Sequence, residues 1–166
     1  MDIWHITSGW DVVSSVFSAI TALGIGVLLW QVCILNKQTT LSAFSSLLQQ
    51  WGGKEERQAR RYVMREFKFK EGDSLEDLNE DCLDEVELVL AMCHRTSFLA
   101  LKGFIRERDI SEFVGRSMVQ LWDKAEGFVK ARRRQRSEPE KVDKASYMYH
   151  FEQFVIRNRD KLVAKK

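Results

Sequence analysis

Hydrophobic and polar positions follow two different regimes along this chain. From Val12 to Asn36 there is no charge at all. The run is twenty-five residues long, rich in Val, Ile, Leu and Phe, with Gln31 near its end. A helix rises about 1.5 Å per residue, so this run exceeds the roughly 30 Å of hydrocarbon in a bilayer. A buried core helix would fit a shorter apolar stretch, of about 10–14 residues. The pattern therefore predicts a membrane-spanning helix over 12–36.

Beyond Asn36 the apolar residues recur at helical spacing among many charges. Residues 36–51 prolong the first helix, with Ile34, Leu41, Phe44, Leu48 and Trp51 as a stripe that packs on the domain itself or on a second copy. Gly52-Gly53 breaks it. A helix over about 54–69 follows, with acids in its first turn. Ala59, Tyr62, Val63 and Phe67 lie on one side of it, and Arg57, Arg60, Arg61 and Arg65 surround the other. Around 72–79 the pattern lapses into a loop in which Ser74-x-x-Asp77 resembles a weak cap.

The most apolar of the later helices is expected over about 81–102. Leu83, Val86, Val89, Leu90, Cys93, Ser97 and Leu101 trace one stripe, and Leu88, Met92, Phe98 and Leu99 widen it, which places this helix at a bundle centre. Gly103 supplies the stop. After a short turn containing Ile105, Asp109 and Ser111 are candidate caps for a helix running to about Arg134, with Val114, Met118, Leu121, Ala125 and Phe128 inward. Pro139 suits a first helical turn. A last, aromatic helix is expected over about 139–162, carrying Tyr147, Tyr149, Phe151, Phe154, Val155 and Ile156. No alternating strand pattern and no internal repeat occurs. The fold class is all-α: one membrane helix, then a bundle of four or five helices. The organisation is 1–11 outside, 12–36 in the membrane and 37–166 as one cytoplasmic domain.

The flanks of the apolar run decide its topology. A secretory signal peptide would carry Lys or Arg before a shorter stretch and small residues after it. Met1 to Asp11 has neither base, only Asp2 and Asp11. Trp30-Gln31-Val32 likewise excludes a lipoprotein site at Cys33. Trp10 and Trp30 sit near the two ends, where indole favours the headgroup layer. Between Lys37 and Lys70 there are eight bases and three acids, so the positive-inside rule puts the N-terminus out and the C-terminal domain in the cytoplasm. Ser14, Ser18, Ala22 and Gly26 repeat at four-residue spacing. Small residues in such a register let helices approach closely in lipid, pointing to self-association or docking on another membrane helix.

Composition adds little to the fold and something to the surface. The single proline and the 30% charged residues suit a helical domain. Three cysteines without a CxxC give no disulfide framework and fit a reducing compartment. The net charge of +2 hides a segregation: nine acids and no base from Glu71 to Glu87, and five bases from Lys130 to Arg136. Lys130, Arg132, Arg133, Arg134 and Arg136 form the strongest surface signal. They are candidates for contact with anionic lipid or another polyanion, against pairing with the acidic segment.

Candidate chemistry is sparse. Cys82, Cys93 and His94 lack the clustered spacing of a zinc site, and Cys93 falls on an apolar stripe as a core thiol. A Cys–His nucleophile pair would need His150 brought to sulfur by folding alone. Asp84, Glu85 and Glu87 lie in a dense acidic run, as a solvated or arginine-paired face. No phosphate-binding loop, dinucleotide fingerprint or nucleophile elbow occurs. The expectation is a protein without enzymatic activity, cofactor or metal.

Arg57-x-x-Arg60 with Val63, the Leu99-x-x-Lys102-Gly103-x-Ile105 turn, Trp122, Arg132-Arg133 and Tyr149-x-Phe151-Glu152 together carry a likeness over nearly the whole chain. It resembles a bacterial family described as a domain of unknown function, number four-seven-sixty. The resemblance implies one N-terminal membrane helix and a small helical cytoplasmic domain, and no activity. The leading functional expectation is a non-enzymatic interaction or scaffold module at the inner face of a membrane. Its partners are the bilayer and a second membrane helix. An oligomerising, membrane-active effector comes second. A tethered nucleic-acid binder, resting on 130–136 alone, comes third, and nucleic acid is not expected.

Overall fold

The computed structural model describes residues 4–70, 72–137 and 142–163, and of these residues 4–9, 11, 36 and 163 by their backbone alone. Among the described residues the regular structure is helical, without strands. Helix α1 runs Trp4–Gly52, α2 Lys54–Arg65, α3 Glu80–Leu101, α4 Glu107–Ile110, α5 Arg116–Gln135 and α6 Tyr149–Val163. A 3-10 turn at Leu75–Asp77 precedes α3, and a π-type turn at Ser111–Gly115 joins α4 to α5. Five main helices, the first of them long and apolar, bear out the all-α class. The chain divides into two compact units, Met1–Ser42 and Ala43–Lys166.

Within the second unit α3 is the central helix. It packs on both α2 and α6, and α5 packs on the same two. Val86, Val89, Leu90, Met92 and Cys93 are buried, as the stripe predicts, whereas Leu88 and Phe98 lie at its exposed edges. Two hydroxyls lie in this core without an energetic penalty, because each finds a partner. Ser97 donates to the Cys93 carbonyl (2.8 Å). Thr96 donates to the Met92 carbonyl (2.8 Å) and accepts from the Trp51 indole (3.1 Å). Gly103, at φ +76°, ends α3 in the left-handed conformation that glycine adopts at least cost.

The last turns of α1 enter this core through Phe44 and Trp51, as the stripe predicts, but with Leu47 inward in place of Leu48. Leu47 and Trp51 are buried and Ala43 and Phe44 half-buried, while Leu48 is 38% exposed and Leu41, in the first unit, 67% exposed. With Leu47 inward, 44, 47 and 51 share one face at spacings of three and four residues.

Two further boundaries differ from expectation. Neither Asp109 nor Ser111 caps a helix: Asp109 pairs with Arg106 (2.9 Å) and Ser111 bonds Asn158, and the helix begins at Glu107. The final helix starts at Tyr149, about ten residues later than predicted. Ahead of it Asp143 Oδ1 accepts from the backbone N–H groups of Ala145 and Ser146, an Asx-type turn that competes with helix. The prediction for Pro139 lies outside the described residues. On α6 Phe151, Phe154 and Val155 are buried, but Ile156 is 61% exposed.

Candidate functional site

Every described side chain of the first unit is exposed. Its apolar residues from Val12 to Leu35 are exposed, and no part of an 18-residue stretch of mean hydropathy 2.2 is buried. Thr21 donates to the Phe17 carbonyl and Thr39 to the Leu35 carbonyl, each at 2.9 Å. Hydroxyls satisfied within their own helix are what hydrocarbon requires. Ser14, Ser18, Ala22 and Gly26 are exposed on the same helix, and a Cβ on Gly26 would meet nothing within 4 Å.

Four of the five bases of 130–136 have been drawn into contacts within the second unit. Lys130 pairs with Glu126 (2.9 Å), and Arg132 with Glu87 (2.6 Å). Arg133 is buried and donates to the Tyr147 carbonyl and to Glu152. The Arg136 guanidinium lies 4.5 Å over the Tyr147 ring. Arg134 is exposed beside a shallow groove that also holds Asp73 and Glu76. Arg132–Glu87 is the predicted type of pairing with the acidic segment.

Around the π-type turn a groove of about 850 Å³ opens between α4, α5 and α6. Turns of this type recur at functional sites. Here the turn lets α6 approach: a Cβ on Gly115 would stand 2.9 Å from Leu162. Several of its polar groups answer one another. Asn158, 3% exposed, donates to Glu107 (2.8 Å) and to the Phe154 carbonyl (2.9 Å), and accepts from Ser111 (2.9 Å). Arg108 pairs with Glu112 (2.8 Å). The Ser111 hydroxyl thus gives its proton to an amide oxygen and not to a base, so no activated nucleophile results.

Sequence reasoning missed the juxtaposition of His94 and His150. Their rings pack edge to face at 5.2 Å between α3 and α6, with Phe98 and Tyr149 against His150. Both imidazoles are held below their ordinary pKa. Burial is the main cause for His94, reinforced by His150 and opposed by a hydrogen bond to the Met148 backbone; for His150 the causes are burial and then Lys102. The folded chain therefore binds protons on these rings less readily than the unfolded chain. Stability should be intact above the ordinary histidine value of about 6.5 and should fall as pH drops below it, levelling once the lowered folded values are passed. A melting-temperature series from pH 8 to pH 5 tests this. The fall should be shallower in His94→Gln/His150→Gln, and an identical slope in both proteins would refute it.

Cys93 is fully buried, and burial pushes its thiol up, so it is an inert core residue. Tyr62 donates to the Cys82 sulfur (2.8 Å), and that bond, with burial, pushes the tyrosine hydroxyl up to about 12. Among the described residues no group of three or more His, Cys, Asp or Glu side chains comes together as a metal site. Glu87, from the acidic set, is held by Arg132, and Asp84 stays exposed.

A family model described as Domain of unknown function (DUF4760) matches residues 18–157. The match begins inside the apolar helix and ends in α6. No curated protein and no solved structure matches the chain.

Proposed function

The chain belongs to the family described as Domain of unknown function (DUF4760), and from that premise we propose that it is a membrane-anchored, non-enzymatic interaction module. Residues 12–36 cross the bilayer with the N-terminus outside, and the helical domain works at the inner face. The Ser14, Ser18, Ala22 and Gly26 face is its contact with a second membrane helix. One observation carries this reading. Phe17, Leu23, Leu29 and Trp30 are each more than 60% exposed, in a helix where no described side chain from 12 to 35 is covered. Covering a large apolar side chain is worth about 1.5–3 kcal/mol, so a bilayer gains tens of kcal/mol over water along such a helix.

The reading is tested by fractionating cells that express the full chain with a reporter enzyme after Lys166. The protein should stay in the pellet through an alkaline carbonate wash, and the reporter should behave as cytoplasmic. Leu23→Arg/Val27→Arg should lower the share recovered in the membrane pellet, since a base at a helix centre costs about 2.5–3.5 kcal/mol on insertion scales. Release of the unaltered chain by carbonate would overturn the anchor. Export-dependent reporter activity would overturn the orientation.

A further inference from the structure

The second unit holds a concentration of cations other than the 130–136 run. On α2, whose buried residues are Ala59 and Val63, Arg57, Arg61 and Arg65 are exposed and Arg60 is half-buried at the edge of the core. With Met64 of the same helix and Ser117 and Leu121 of α5 they line one groove of about 290 Å³. Six other arginines of this unit meet carboxylates, Arg106, Arg108, Arg132, Arg133, Arg157 and Arg159, whereas Arg95, Arg116, Arg134 and Arg136 stand outside the α2 groove, Arg116 and Arg134 each lining a different one. None of the four α2 arginines has a carboxylate within ion-pair distance among the described residues. The nearby acids are directed elsewhere. Glu56 folds back over Gly53, and Glu55 lines a separate groove with Asp81, Asp84 and Glu85.

One of the four is fixed in place. The Arg60 guanidinium lies 4.7 Å over the Trp51 ring, donates to the Trp51 carbonyl (2.6 Å) and to the Glu56 carbonyl (3.3 Å), and keeps further N–H groups free of these bonds. Trp51 is itself 3% exposed and tied to Thr96. The ordering of this guanidinium is therefore complete before any ligand arrives. Burial is the main cause that lowers the affinity of Arg60 for its proton; Arg57 adds to it, and Cys93 and Glu56 oppose it.

A single carboxylate would satisfy one such fork. Several guanidinium groups around one small groove match a group with more charge and more acceptor oxygens, and guanidinium geometry suits phosphoryl oxygens. At about 290 Å³ the groove has room for a phosphoryl or pyrophosphoryl group. The geometry points to a binding site for a terminal phosphate, a phosphomonoester or pyrophosphate, in the groove between α2 and α5. Arg60 is its fixed fork, Arg57, Arg61 and Arg65 close around the anion, and the Ser117 hydroxyl donates from the opposite wall. A lipid headgroup and a soluble phosphate present the same terminal group, and the groove contacts only that shared end.

The test uses the full chain in dodecyl maltoside micelles, with inorganic pyrophosphate as the probe in titration calorimetry. The expected result is saturable binding that weakens as salt is raised. In Arg61→Gln/Arg65→Gln the affinity should fall tenfold or more while the melting temperature without ligand stays unchanged, because both side chains are exposed. Arg95→Gln/Arg134→Gln removes the same charge from exposed positions outside the groove and should keep the affinity. Competition separates the two sources. Displacement of pyrophosphate by micelles doped with phosphatidic acid, and not with phosphatidylcholine, assigns the phosphate to lipid. Binding without such displacement assigns it to a soluble molecule. Absence of saturable binding, or an equal loss in the two double variants, overturns the site.

Discussion

Phe128→Ala should destabilise the helical domain by about 3–5 kcal/mol, a large share of the total for a domain this size. Phe128 is completely buried on α5 and stands at the centre of an aromatic cluster. Phe67 and Phe69, from the segment after α2, meet its ring edge-on at 6.1 and 5.9 Å. The Arg132 guanidinium lies 5.8 Å from the same ring. Gly127, the adjacent residue, lets that segment approach: a Cβ there would stand 3.3 Å from the Phe69 carbonyl. Truncating Phe128 thus opens a cavity where an irregular stretch of chain meets a rigid helix, and the stretch cannot collapse without losing both remaining rings. Denaturant melts of the fragment 43–166, which contains every core residue, measure the loss. Ile156→Ala is the control, since that side chain is 61% exposed and should change stability by less than about 0.5 kcal/mol. Equal midpoints for the two variants would mean that the cluster contributes no packing energy.

The parts of this architecture that could be read from the sequence are those fixed by local periodicity. The stripe Val114, Met118, Leu121, Ala125, Phe128 is buried throughout, across a π-type turn, because inward spacing of three and four residues survives one widened turn. The breaks at Gly52-Gly53 and Gly103 are equally local, since they depend on backbone freedom and on no distant partner. Helix α6 is different. Asp143-Lys144-Ala145-Ser146 carries residues that are tolerated in a helix, and only the Asp143–Ser146 spacing hinted at the turn that delays its start. Met148 then passes through φ +59°, a conformation that no periodicity announces.

Charge was legible in density and not in partnership. Lys130–Arg136 is the densest basic run in the chain, yet Arg132 meets Glu87 from forty-five residues away and Arg133 meets Glu152 from nineteen. Such pairings follow from how α3, α5 and α6 pack, so no count along the chain contains them. The arginines of α2 show the converse. Their spacing was visible on the helix, but their lack of carboxylates becomes apparent only once the acids of 80–87 are seen to face other grooves.

Arg133 separates a charged surface from a structural core most sharply, and Arg133→Met should cost about 3–5 kcal/mol, as breaking one partner of a buried ion pair does. Its side chain is 10% exposed and that of Glu152 18%. Nε and Nη2 both donate to the Tyr147 carbonyl, at 2.9 and 2.7 Å, and Nη2 also reaches Glu152 at 3.0 Å. One guanidinium therefore ties the end of α5 to the turn before α6 and to the first turn of α6 itself. Removing it strands a poorly hydrated carboxylate and a carbonyl together. Arg133→Met/Glu152→Leu should recover much of the loss, because two apolar side chains replace a buried pair at little net cost; the residual deficit reports the Tyr147 carbonyl. Arg134→Met, one residue on and exposed, should stay within about 0.5 kcal/mol of the parent. Denaturant melts of the four proteins decide the matter. If Arg133→Met and Arg134→Met melt alike, the run is a solvated cationic face after all, and the α5–α6 connection is held by its hydrophobic contacts alone.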